Sequence, residues 1–186
     1  MTFPIYIYGQ PILRKKTKDI SPDYPNLKEL INNMFQTMYD ADGVGLAAPQ
    51  IGLEDRILVV DLSPLADSNF DFDNFKKVFI NARIVECDGE EVDIEEGCLS
   101  IPNINEKVPR KNRIRIQYLD ENFNPQDEVY EGYKARVIQH ECDHLEGILF
   151  IDRISGIRKQ MISSKLNKML KGNVLCHYKI KPVSKK

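Results

Sequence analysis

Five consecutive residues, His140-Glu141-Cys142-Asp143-His144, constrain this chain more than any others. On an α-helix each residue advances about 100°, so His144 lies about 40° round from His140 and one turn along. Both imidazoles then leave one helix face and can hold one metal ion. Glu141 flanks that face, where a carboxylate reaches a metal-bound water without ligating the metal itself. Two of the chain's three histidines fall here, against the competing reading of a chance pair of surface residues. The third ligand must come from upstream. One large zinc-protease group continues HExxHxxGxxH, but Phe150 stands where its third histidine would be, and no acid follows Asp152. Cys98, in EEGCLS, is a candidate whose thiolate could face inward; the alternative is a buried, inert cysteine. Cys142 lies about 200° round from His140 and reads as packing. Cys87, Cys176 and His177 sit in no motif and read as non-ligands.

The pentapeptide needs a helix, and the spacing predicts one from about Tyr133 to Glu146. A second is expected over Ser21–Ala41, where Leu27, Leu30, Ile31, Met34 and Met38 form one apolar stripe and Pro25 fits the first turn. A third runs from about Ser155 to Lys171. Short runs rich in Val, Ile and Phe predict strands at Arg56–Asp61, Lys77–Asn81, Arg83–Glu86 and Arg113–Leu119. DGVGLAAPQIG reads as a loop, and Ser63–Asn74 as a surface loop. No crossover helices separate the strands, so they should pair antiparallel. The class is α+β: antiparallel strands packed around the central helix that carries HExxH, with an additional C-terminal helix.

A chain of 186 residues with 42% apolar content suffices for one domain with a real core. No apolar run approaches the roughly 20 residues that span a bilayer, so a membrane partner is not expected. The first residues lack the basic and apolar regions of a signal peptide. Four cysteines are too sparse for a disulfide scaffold, and a reducing cytoplasm is the expected location. The net charge of −2 hides a division. All 28 acids lie in residues 1–152 with 16 Lys and Arg, while residues 153–186 hold 10 Lys and Arg and no acid. This predicts a body, residues 1–154, and a basic extension, residues 155–186, suited to a phosphate backbone. In the extension Ile162, Leu166, Met169 and Leu170 form a packing stripe. Arg158, Lys159, Lys165, Lys168 and Lys171, with tail lysines 179, 181, 185 and 186, leave the rest positive.

GVGLAAPQ at 43–50, EGCLS at 96–100 and QHECDH at 139–144, with the opening YGQPILR and VPR at 108–110, resemble the motifs of the peptide deformylase family over roughly residues 5–155. That resemblance implies a divalent metal held by Cys98, His140 and His144 with water in the fourth position, Fe(II) in the cell and Zn, Ni or Co able to share the ligands. One thiolate and two neutral imidazoles leave such an ion with net +1, which favours bound hydroxide near neutral pH. The implied reaction is attack on the N-formyl group of a nascent chain's N-terminal methionine, releasing formate. Glu141 would act as general base and then acid, with the Gln50 amide and Leu99 N–H as oxyanion donors. Gly43, Val44 and Gly45 would line an extended substrate; Ile94, Glu96, Tyr133, Arg136 and Val137 would complete its pocket, with Arg136 at the rim and paired to Glu96. Asn105 replaces an arginine of some members, which bears on the substrate's second residue. The resemblance also implies a ribosome contact, through residues 155–186 acting as a docking element outside the catalytic machinery. The rival reading of that segment is a helix packed on its own domain with a disordered, solvating end. No DNA partner is expected. The functional alternatives are another HExxH peptidase or a non-catalytic binding protein of the same fold.

Overall fold

The computed structural model describes residues 1–68 and 72–183. Lys185 and Lys186 of the basic tail, and part of the Ser63–Asn74 stretch, lie outside the described residues. The elements run β1 (Ile5–Tyr6), α1 (Leu27–Asp40), β2 (Gly45–Ala47), β3 (Ile57–Asp61), β4 (Lys76–Cys98), β5 (Ile101–Leu119), β6 (Pro125–Glu131), α2 (Gly132–Leu145), α3 (Gly156–Leu170) and β7 (Ile180–Lys181). Strands β2 to β6 form an antiparallel sheet in sequence order, and β1 pairs with β7 in parallel. Mixed helices and an antiparallel sheet are therefore the architecture, as the α+β reading expects.

Helix α2 packs against all five strands of the large sheet. Every residue from Ala135 to Leu145 is buried, the polar ones included. A helix buried on all sides usually reads as apolar throughout. This one carries Arg136, Gln139, His140, Glu141, Asp143 and His144 inside, so each needs an internal partner or a function. Cys142 is among the apolar residues of the main core, with Leu58, Phe79 and Ile116.

Several elements depart from expectation. Helix α1 begins at Leu27, not Ser21, because Pro22 and Pro25 disfavour helical backbone in the residues before them and Asn26 turns left-handed at φ 54°. The predicted strands over 77–86 are parts of one long β4, which pairs with an equally unbroken β5 through several register shifts. Their central stretch, Glu86–Lys111, hides the strands because the β4 side is almost wholly exposed there and the buried face of β5 mixes Glu106 and Arg110 with Ile104 and Val108, so burial alternates while hydrophobicity does not. Strand β6 is hidden for the same reason: Tyr130 is its one buried side chain. Within the expected loop, Gly45–Ala47 pairs with β3 as the edge strand β2, and Ala48–Ile51 forms a 3₁₀ turn. Phe72, from the expected surface loop, and Phe75, just after it, are buried in the main core.

The C-terminal segment is fastened to the body. Ile162, Leu166 and Met169 pack with Ile7, Leu13, Ile101 and Phe150. Leu170 is 41% exposed, yet it lies over Gly9, where a Cβ would come within 2.4 Å of it. Beyond α3 the chain turns back and is hydrogen-bonded to the body at Leu175, Tyr178, Lys179 and Pro182, so residues 173–183 are exposed or half-buried but not the disordered end of the rival reading.

Candidate active site

Three parts of the chain converge on one cleft of about 450 Å³. Helix α2 forms its floor with Tyr133, Arg136, Val137, His140 and Glu141. One wall is Asp42–Gly45 with Gln50; the other is Glu95–Leu99 with Pro102 and Asn103. Leu65, from the expected surface loop, also lines it. Ile94 does not line this cleft.

The second wall owes its shape to a distorted hairpin. Cys98 pairs with Ile101, so Leu99 and Ser100 are the turn between β4 and β5. The next pairing, Glu96 with Glu106, sets two steps on one strand against five on the other. Such bulges re-aim side chains beside functional sites. The turn is tied down from the N-terminal segment, where Tyr8 N–H donates to Ser100 O at 2.8 Å.

Cys98, His140 and His144 present one ligand atom each, all within 4.8 Å of one another. Cys98 Sγ and His144 Nε2 are 3.3 Å apart. A tetrahedral ion with ordinary thiolate and imidazole distances separates such ligands by about 3.6 Å. His140 Nδ1 is engaged by Glu96 Oε2 at 2.9 Å, which leaves Nε2 for the ligand group. Burial favours the neutral form of His144. At His140 burial acts in the same direction, but the Cys98 sulfur and the Glu96 carboxylate outweigh it and favour a positive charge. One sulfur and two imidazole nitrogens converging within 4.8 Å in a buried cleft form a donor set that fits a divalent cation.

Glu141 stands beside this group. Its Oε2 is buried with no hydrogen-bond partner among the described residues, and burial pushes its carboxyl up to about 7. Gly45 makes room for it: a Cβ there would lie 2.5 Å from Glu141 Oε1. Gln50 is held from behind, since its Oε1 accepts from Ala47 N–H at 2.8 Å. Its Nε2 then points to Ser100 Oγ at 3.3 Å and Cys98 Sγ at 3.6 Å.

Behind the ligands runs a buried ionic network. Arg110 donates to both oxygens of Glu96 at 2.6 and 3.0 Å and to Asp143 Oδ2 at 2.7 Å. Arg136 donates to Glu96 Oε1 at 2.8 Å and to the Val108 carbonyl at 2.7 Å, and Arg153 also binds Asp143. Burial opposes ionisation of Glu96, but the hydrogen bonds from His140 and Arg110 hold its carboxyl well below the usual range. Arg136, expected at the rim, is paired with Glu96 but only 4% exposed. The long β-hairpin closes over it, and its guanidinium finds carbonyls there instead of water. Arg110 and Asp143 carry no role in the sequence reading. The signal for them is the charge inside QHECDH and VPR, which only a buried helix makes meaningful.

One further contribution to the cleft has no counterpart in the sequence reading. Cys176, His177 and Tyr178, from the basic tail, line the same cleft.

The polypeptide deformylase family model matches residues 2–160. The peptide deformylase of Flavobacterium johnsoniae is 50% identical over 97% of this chain and 96% of its own length. That of Christiangramia forsetii is 51% identical, over 100% of this chain and 99% of its own. The crystal structure of peptide deformylase from Thermotoga maritima superposes with a TM-score of 0.75 at 43% identity, covering 83% of this chain and 99% of that one. A cleft with a Cys-His-His group, and relatives half identical over their whole length, place this chain in the polypeptide deformylase family, metal-dependent hydrolases that remove the N-formyl group from nascent polypeptides.

Proposed function

We propose that Cys98, His140 and His144 hold the catalytic metal and that the surrounding residues carry out deformylation of N-formylmethionyl chains in the cytoplasm. The observation that supports this most is the position of Glu141, a buried carboxyl whose Oε2 has no hydrogen-bond partner among the described residues, set beside three convergent ligand atoms. When bound, the metal supplies a Lewis acid that polarises the formyl group and acidifies a water. Glu141 takes the water proton and passes it to the departing amine, a task suited to a carboxyl poised near neutrality. The Gln50 amide, fixed through Ala47, and the Leu99 N–H in the hairpin turn donate to the charge that grows on the formyl oxygen. Gly43, Val44 and Gly45 present backbone to an extended substrate, while Tyr133, Val137 and Val44 give the methionine side chain an apolar slot. Glu96 and Arg136 support this floor from within the ionic network. Residues 1–154 contain all of these groups. Fe(II) is the metal proposed for the cell, though zinc, nickel and cobalt suit the same ligands. The test is formate release from a formyl-methionyl peptide by anaerobically purified protein of measured metal content. An unformylated peptide cut by the same protein would favour a peptidase instead.

Gly45→Ala should lower turnover about 10- to 100-fold with the metal retained. The new Cβ would sit where the Glu141 carboxylate now lies, and a displacement of about 1 Å at a catalytic group costs that much. Unchanged turnover would show that Glu141 can move freely, contrary to its proposed role.

The outer face of α3 supports a ribosome contact. Ile157 and Met161 are 74% and 68% exposed, and Lys165, Lys168 and Lys171 form no ion pair among the described residues. Arg158 and Lys159 are already engaged by Glu106 and Asp152. Changing Lys165, Lys168 and Lys171 to Glu should weaken low-salt co-sedimentation with ribosomes about tenfold or more, with peptide turnover intact. Unchanged co-sedimentation of the folded variant removes this contact from the proposal.

A further inference from the structure

The tail after α3 behaves as a strap. Asn103 Nδ2 donates to the Leu175 carbonyl at 2.8 Å, fastening the strap to one wall of the cleft. The Tyr178 hydroxyl donates to the Leu99 carbonyl at 2.8 Å, a second bond to that wall. His177 Nε2 lies 3.1 Å from Asp42 Oδ2, on the opposite wall. The far end is anchored as well: Ile5 N–H donates to the Lys179 carbonyl at 2.8 Å, β7 pairs with β1, and Gln10 Nε2 donates to the Pro182 carbonyl at 2.6 Å. Between these anchors Cys176, His177 and Tyr178 face the cleft.

The strap's position along the cleft is set by the first wall. Gly45 abuts Glu141, Gly43 abuts Leu99, and Asp42 meets His177. Three residues of backbone span at most about 10 Å, the reach of two or three residues of an extended peptide. A substrate whose formyl group lies at Glu141 and whose chain runs along this wall toward Asp42 therefore reaches the strap within its first two or three residues. The strap also lies outside residues 2–160, the stretch matched by the family model. It is thus placed to influence the substrate residues after the formylated one, while the groups around Glu141 come from the matched stretch.

We propose that residues 175–178 form the outer wall of the substrate cleft, with Cys176 and His177 contacting the second and third residues of the formylated peptide and Tyr178 positioning the strap against Leu99. This rests on the deformylase reading of the cleft above. It also revises the sequence expectation for the tail: the face of α3 remains open to a partner, but the segment after it belongs to the cleft.

Two measurements on the metal-loaded full chain test it. In the first, kcat/KM is measured for N-formylmethionine amide and for formyl-Met-Ala-Ser. In His177→Ala and in Tyr178→Phe, the ratio of the longer to the shorter substrate should fall about 5- to 10-fold, mainly through KM. An unchanged ratio, or an equal fall for both substrates through kcat, overturns the proposal. In the second, alkylation of Cys176 in the unaltered protein is followed by mass spectrometry. The product peptide Met-Ala-Ser should slow it and methionine amide should not; equal behaviour of the two ligands overturns the proposal. Absence of formate release from both substrates by the unaltered protein would instead remove the deformylase reading. The alkylation result would then still decide whether the strap touches a bound peptide.

Discussion

Glu141→Ala should keep its metal and lose about 10²–10⁴ in formate release, the range that positioned general acid–base groups contribute. The substitution removes the proton carrier and none of Cys98, His140 or His144. It should also leave the fold intact or slightly firmer. Glu141 is 4% exposed and its Oε2 has no hydrogen-bond partner among the described residues, so deleting the carboxyl strands nothing and relieves a buried polar group of its desolvation cost. His144→Ala is the contrasting variant, expected to lose metal and turnover together. Metal content and formate release measured on both variants separate the two roles. Near-normal turnover in Glu141→Ala, or metal loss as complete as in His144→Ala, would place Glu141 among the ligands or outside the reaction.

That contrast also marks what is readable from the residues alone. The HExxH helix is legible because its chemistry needs one periodicity, and α2 carries it within a residue of the expected bounds. The apolar runs of β3 and the stripe of α1 are legible because burial on a face leaves a period. The middle of the β4–β5 hairpin is not, since β4 is mostly exposed there and the buried face of β5 includes the charged Glu106 and Arg110 beside Ile104 and Val108. Nor is the burial of Arg136, Arg110 and Asp143, because a charged residue in a helix or strand normally signals solvent. The strap is the hardest case. Cys176, His177 and Tyr178 lie more than thirty residues beyond the HExxH helix in a basic stretch, and the pairing of β7 with β1 together with side-chain bonds from Asn103 and Tyr178 carries them to the cleft.

Glu96→Ala is expected to have the largest effect on stability, because it removes the shared centre of the ionic network. Glu96 accepts from Arg110, Arg136 and His140 at once, and its side chain is 5% exposed. Without it, the Arg110 and Arg136 guanidiniums stay buried, 1% and 4% exposed at the side chain, with one carboxylate, Asp143, left to Arg110. Breaking a buried ion pair from one side costs about 3–5 kcal/mol, since the remaining charge is uncompensated. For a chain of this length that corresponds to a fall of about 6–20 °C in Tm. Glu96→Gln keeps the shape and some hydrogen bonds, so it should lose less. A second effect is separable from the first. His140 loses the acceptor that fixes its ring, and losing such a partner typically weakens metal affinity about 10- to 100-fold. Thermal unfolding of the metal-free protein reads the first effect, and metal titration of the folded variant well below its Tm reads the second. Melting within about 2 °C of the parent, with unchanged metal affinity, would mean that Arg110 and Arg136 find other partners when Glu96 is gone. The network would then be packing around the site and no part of what holds His140 in place.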